Sequence, residues 1–217
     1  ENAWVEMGRL PQVIDNLIAA GKAEPMIVVM PNGVIDAESA PGYGSDGLRQ
    51  PRANYPRLFT GEFDLAFPEI VSFVDSAFRT IPAKSHRAIA GLSMGGYNSA
   101  NISRQYPDMF DFIGLFSAAT IESISSNPDL NKGLGEAMAT NPVFADITPK
   151  MKALKEASPR LYWIAIGKDD FLYDAMADYR RSLDTIGMPY TYVETPGGHT
   201  WVNWRDYIIE FAPLLFR

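Results

Sequence analysis

The chain of 217 residues contains no cysteine, which removes disulfides, thiolate metal sites and a cysteine nucleophile together. It has only two histidines, so a reaction that needs an imidazole base has two places to find one. No apolar run approaches the length that spans a bilayer, and the first residues carry no signal-peptide pattern. Basic clusters are also missing: 19 Lys and Arg are scattered among 26 Asp and Glu for a net charge of -7, which argues against nucleic acid or an anionic membrane as partner. Repeats, low-complexity tracts and blocks of like charge are absent as well.

What is present suits one globular unit. Hydrophobic residues make up 47% and charged residues 21%, enough apolar material for a sizeable core, so residues 1–217 read as a single domain. Five short apolar runs closed by turn residues read as buried strands: Met26 to Met30, Arg87 to Ala90, Phe112 to Phe116, Leu161 to Ile166 and Tyr190 to Val193. Between them Leu10, Val13, Ile14, Leu17 and Ile18 recur at helical spacing, as do Ile70, Val71, Val74, Ala77 and Phe78. This alternation predicts an α/β fold, a mostly parallel sheet with helices on both faces. Two connections are longer than simple links: Pro31 to about Gly61, and Ala118 to about Pro159, the latter with a short helix. They are either walls of a site beyond the carboxyl ends of the strands or surface insertions.

The strongest local signal is Gly91-Leu92-Ser93-Met94-Gly95, a G-x-S-x-G motif that follows the strand-like Ala88-Ile89-Ala90 and opens a helical run ending near Tyr106. Strand, tight turn and helix are the setting of a nucleophile elbow. The glycines let neighbouring backbone approach closely enough for the Ser93 hydroxyl to project from a strained turn, and the Met94 N–H then faces a developing oxyanion. The plainer alternative, Ser93 as a helix cap, does not need Gly91, Gly95 and Gly96.

A serine hydroxyl requires a base. His86 stands before the strand that leads to Ser93, at its amino end, whereas His199 lies in Thr195-Pro196-Gly197-Gly198-His199, directly after the last strand and on the side of Ser93. His199 is therefore the candidate base. A carboxylate to orient it follows the run Leu161 to Gly167, where Asp169 and Asp170 both qualify and either serves equally as a helix cap. The order Ser, Asp, His is the one α/β-hydrolases use.

The segments GRLPQVIDNLI, MIVVMPNG, HRAIAGLSMGGYNSA, IAIGKDDFLYD and GGHTWVNWRDYI resemble the feruloyl and acetylxylan esterases of carbohydrate esterase family 1, within the larger esterase D family. The resemblance covers nearly the whole chain and implies an α/β-hydrolase fold. In that family the aspartate of a G-x-x-D pattern is catalytic, and mapped onto Gly167-Lys168-Asp169-Asp170 this favours Asp170. The resemblance further implies hydrolysis of feruloyl or acetyl esters on plant xylan, a small-molecule or polysaccharide-linked ester as partner, no metal or organic cofactor, and a secreted or periplasmic location. It places Trp201 and Trp204 near the acyl or sugar site, with packing of the last helix as their other role. One departure stands out. The family carries an upstream strand, set between those matching Met26 to Met30 and Arg87 to Ala90, whose loop supplies a second oxyanion N–H; the sequence here is expected to lack it and to be truncated relative to the family. S-formylglutathione hydrolases share the elbow, so a small-ester or thioester hydrolase is the rival enzyme. A ligand-binding domain without catalysis is the rival of another class, and the complete Ser, His and Asp set speaks against it.

Overall fold

Four of the five apolar runs find ladder partners. In the computed structural model, which describes residues 3–31, 33, 59–126, 128 and 134–217, they form β1 (Ala88–Leu92), β2 (Phe112–Phe116), β3 (Leu161–Gly167) and β4 (Thr191–Thr195). All neighbours are parallel in the order β1-β2-β3-β4, with Ala88 opposite Phe112, Phe112 opposite Leu161 and Trp163 opposite Thr191. Parallel neighbours require a crossover between each pair, and the intervening sequence supplies helices for it. The helices are α1 (Ala3–Glu6), α2 (Leu10–Ala19), α3 (Glu62–Ala77), α4 (Met94–Gln105), α5 (Ile121–Ser125), α6 (Leu134–Thr140), α7 (Ile147–Glu156), α8 (Tyr173–Ile186) and α9 (Trp201–Phe211).

Strand alternation sorts the core into two layers, because successive side chains point to opposite faces. Ile113, Leu115, Tyr162, Ile164 and Ile166 face one way, into a cluster with Ile102 of α4, Leu154 of α7 and Met176 of α8. Phe112, Phe116, Trp163 and Ala165 face the other way, against Trp204, Tyr207 and Phe211 of α9. Those α9 residues recur at three- and four-residue spacing, which puts them on one stripe of the helix. α2 packs outside α9 through Leu10, Ile14 and Leu17, as the spacing of its apolar residues predicts.

Two expectations are corrected. Met26 to Met30 forms no regular element and joins no ladder, and Ile27 is 52% exposed. An apolar run becomes a strand only when a neighbour offers its backbone groups, and among the described residues none does so here. The connection from Ala118 to Pro159 holds three helices, α5, α6 and α7, rather than one short helix. α5 starts with a reciprocal cap, in which the Thr120 hydroxyl accepts from the Ser123 N–H and the Ser123 hydroxyl accepts from the Thr120 N–H. Most of the other long connection, residues 34–58, lies outside the described residues.

Candidate active site

β1 ends at Leu92 and α4 begins at Met94, so one residue makes the turn between them. That residue, Ser93, has φ 52 and ψ -114, a conformation that a side chain with a β-carbon rarely adopts. Surrounding backbone holds it there: the Ser93 N–H donates to the Phe116 carbonyl at 2.9 Å, and the Ser93 carbonyl accepts from Ala119 N–H at 3.0 Å and Tyr97 N–H at 3.1 Å. The glycines permit the crossing. A β-carbon on Gly91 would stand 2.2 Å from the Gly95 carbonyl carbon, and one on Gly96 would stand 2.5 Å from Ala118 Cβ. Met94 is the first residue of α4, so its N–H is one of the first-turn donors that no intrahelical carbonyl satisfies.

The two other candidates come from the loops after β3 and β4, at the same edge of the parallel sheet. A glycine again sets the spacing. A β-carbon on Gly167 would lie 2.1 Å from the Gly197 carbonyl oxygen, and the Asp169 N–H donates to that same oxygen at 2.9 Å. With the loops clasped, both carboxylate oxygens of Asp170 accept from His199 Nδ1, Oδ2 at 2.9 Å and Oδ1 at 3.1 Å. Asp170 is buried and Asp169 exposed, so the structure pairs the imidazole with the aspartate that the G-x-x-D pattern favours.

Burial alone would raise the Asp170 pKa. The hydrogen bond from His199, the Leu172 N–H at 2.9 Å and the nearby Ser117 hydroxyl outweigh it and hold the carboxyl below its ordinary value. Ser117 contributes as a dipole facing the carboxylate, since its hydroxyl falls short of regular hydrogen-bond geometry. An ionised Asp170 can only accept, so the Nδ1 proton belongs to His199 and Nε2 is left as a proton acceptor. His86 lies in the short 3-10 turn Lys84–His86 before β1, at the opposite sheet edge, with its Nδ1 3.0 Å from the Ser85 hydroxyl.

Three contributors escaped the sequence. Phe171, next to Asp170, is 76% exposed and sets its ring 4.6 Å from the His199 ring. Asn203 ties the histidine loop to α9: its amide donates to the Pro196 carbonyl at 2.7 Å and the Thr195 hydroxyl at 3.0 Å, while its carbonyl accepts from the Thr200 hydroxyl at 2.8 Å. Ser117 is the third. Each acts across a loop closure that no local pattern announces. Trp204 is buried and packs edge-on against the His199 ring at 4.9 Å, with Trp201 against Trp204 and Trp4 behind it. The imidazole is thus flanked by Trp204 on the core side and Phe171 on the open side.

The chain is 36% identical over 121 residues to an endo-1,4-beta-xylanase/feruloyl esterase of Xylanibacter ruminicola, covering 55% of this chain and 15% of that protein. It is 33% identical over 160 residues to an acetyl esterase of Caldicellulosiruptor saccharolyticus, covering 64% of this chain and 58% of that one. The chain therefore spans less than two thirds of the length of either curated relative. Among solved structures, a ferulic acid esterase superposes with a TM-score of 0.68 at 25% identity, over 99% of this chain and 79% of its own. The α/β-hydrolase architecture expected from the sequence is the one these neighbours share. The profile of the family described as "Putative esterase" matches residues 2–215, and the chain belongs to that family.

Proposed function

We propose that the chain is a serine carboxylic-ester hydrolase that removes feruloyl or acetyl groups from plant xylan. The observation that carries this reading is the two-oxygen grip of Asp170 on His199 Nδ1, at the sheet edge where the elbow holds Ser93. In the proposed reaction His199 Nε2 takes the Ser93 proton as Oγ bonds to the ester carbonyl carbon. The carbonyl oxygen becomes an oxyanion and accepts from the Met94 N–H. Collapse breaks the bond to the alcohol oxygen, which leaves with the proton from the imidazolium. Water then adds to the acyl-enzyme, again giving its proton to His199, and the carboxylic acid is released with Ser93 restored. The sequence of steps calls on no metal or organic cofactor.

The substrate class rests on two relatives, one named a feruloyl esterase and the other an acetyl esterase. Xylan is found outside the cell that degrades it, so a secreted or periplasmic location accompanies the reading, with residues 1–217 acting as one catalytic domain. A fluorophosphonate probe reacts with an activated serine and spares an ordinary one. We expect it to label Ser93 in the protein and nothing in Ser93→Ala, and we expect turnover of methyl ferulate or acetylated xylan in preference to S-formylglutathione. Absence of labelling would overturn the catalytic reading. Turnover confined to S-formylglutathione would overturn the substrate class while leaving the machinery.

A further inference from the structure

Beneath the elbow, between α4, α7 and α8, lies a cavity of about 180 Å³ whose lining includes none of Ser93, Asp170 or His199. Its walls are mainly apolar, with Leu115, Met151 and Met176 among them. Into this setting α4 places Arg104, a side chain 4% exposed. A guanidinium carries five N–H donors. Among the described residues Arg104 makes one side-chain hydrogen bond, from Nη2 to Asn101 Oδ1, and its Nε–H is sealed from solvent with no acceptor. No carboxylate among the described residues forms an ion pair with it. Buried Asp64 feels the Arg104 charge, but its oxygens are bonded elsewhere, accepting from Asn98 Nδ2 at 2.9 Å and Asn101 Nδ2 at 3.3 Å. Glu122 lines the cavity too, but it is exposed and unpaired with Arg104 among the described residues.

A buried cation with one neutral partner is costly unless an anion accompanies it. The cavity beside it has room for a small molecule, and its apolar walls suit an organic body more than a bare inorganic ion. We infer that this cavity is a second binding site, for a compact aryl or alkyl monocarboxylate whose carboxylate pairs with Arg104 while its apolar body fills the space between α4, α7 and α8. A planar guanidinium and a carboxylate match as a two-point pair. A dianion is disfavoured, since Glu122 faces the same cavity and Arg104 is the only cation in its lining among the described residues. On the function proposed above, monocarboxylic acids are also what the enzyme releases, and that link alone rests on that reading.

Calorimetric titration with benzoate, and with benzamide as its neutral counterpart of similar shape, tests the site. Benzoate is expected to bind in the millimolar range or tighter, and benzamide about tenfold or more weaker, the ratio that loss of one charge-assisted pair implies. Arg104→Met should remove the preference. Because that variant can disturb the core, Ser182→Trp provides an independent one: Ser182 lies on the exposed face of α8 at the cavity lining, its hydroxyl donates to the Tyr179 carbonyl of its own helix, and an indole there blocks the space with Arg104 untouched. It should lose benzoate at unchanged melting temperature. Ser93→Ala should bind benzoate as the parent does, so a failure of the catalytic assignment leaves this result standing. Equal affinity for benzoate and benzamide, retention of benzoate by Ser182→Trp, or no heat at all would overturn the inference. So would a Glu122→Gln variant as destabilised as Arg104→Met, which would make Glu122 the counter-ion in solution.

Discussion

Helix α4 has two ends built on opposite principles. Its amino end is shaped by what side chains lack: Gly91 and Gly96 let three backbone segments crowd around Ser93, and main-chain hydrogen bonds from β2 and its following loop hold the strained turn. Its carboxyl half is shaped by polar side chains placed where apolar ones are usual. Asn101 and Arg104 are buried there, with Asn98 one turn before; the two asparagine amides donate to Asp64 of α3, and Arg104 donates to Asn101. The first end fixes geometry through sterics, which depend little on pH. The second stores charge in the interior, and its energy depends on protonation. One helix thus joins a rigid chemical edge to a titratable interior.

The largest effects belong to the rigid edge. Ser93→Ala and His199→Ala should each lower kcat by at least about three orders of magnitude while the folded spectrum is kept, because members of such a set act as a unit. Retention of more than about a tenth of the rate in either variant would remove the residue from the set. A sharper contrast uses adjacent residues. Asp170→Asn should cost about two orders of magnitude or more, since an amide facing Nδ1 promotes the wrong imidazole tautomer. Asp169→Asn should cost almost nothing, as its exposed carboxylate is not the imidazole's partner. Comparable losses in both would dissolve the distinction that the geometry draws.

Next comes the packing beneath the turn. Gly91→Ala should destabilise by at least about 1 to 3 kcal/mol, because its β-carbon meets backbone rather than a flexible side chain that can swing away. For a chain of this size that is a fall of about 3 to 10 °C in Tm, readable by calorimetry. An unchanged Tm would show that the elbow relaxes and that its strain is not held by crowding.

The same contrast explains what the sequence makes legible. The elbow, four of the strands and the histidine loop rest on local signals, a glycine pattern or an apolar run closed by a turn, and the structure keeps them at β1 to β4. Asp169 and Asp170 share a strand end, so composition cannot separate them, and the family pattern was needed to favour the one that pairs. Met26 to Met30 has a strand's residues without a strand's ladder, since a ladder depends on a neighbour that an apolar run does not encode. Asn203 and Phe171 reach the histidine loop from other segments, and the burial of Arg104 comes from α3, α7 and α8, which the sequence around it does not encode. Local pattern therefore reports the rigid end of α4 and is silent about the charged one.

The smallest expected effect tests the charged end directly. Asp64 is fully buried, and burial pushes its pKa from 3.8 up to about 6, against the lowering influence of the Asn98 and Asn101 amides and of the Arg104 charge. Between these two values the folded protein holds a proton on Asp64 that the unfolded chain has given up. Stability must therefore fall as pH rises through that window and level off above about 6. The span corresponds to at most about 3 kcal/mol, a size that full burial does not require discounting for solvent screening. Asp64→Asn cannot titrate and loses this slope. It keeps an oxygen for one asparagine but turns an NH2 toward the other, so it begins with a constant penalty of about 1 to 3 kcal/mol at pH 4. Urea midpoints of the two proteins, measured at intervals from pH 4 to pH 7, should then converge or cross as the parent weakens and the variant does not. Parallel curves across the whole range would mean that Asp64 keeps an ordinary carboxylate pKa, and that the interior end of α4 is no more sensitive to protonation than the elbow.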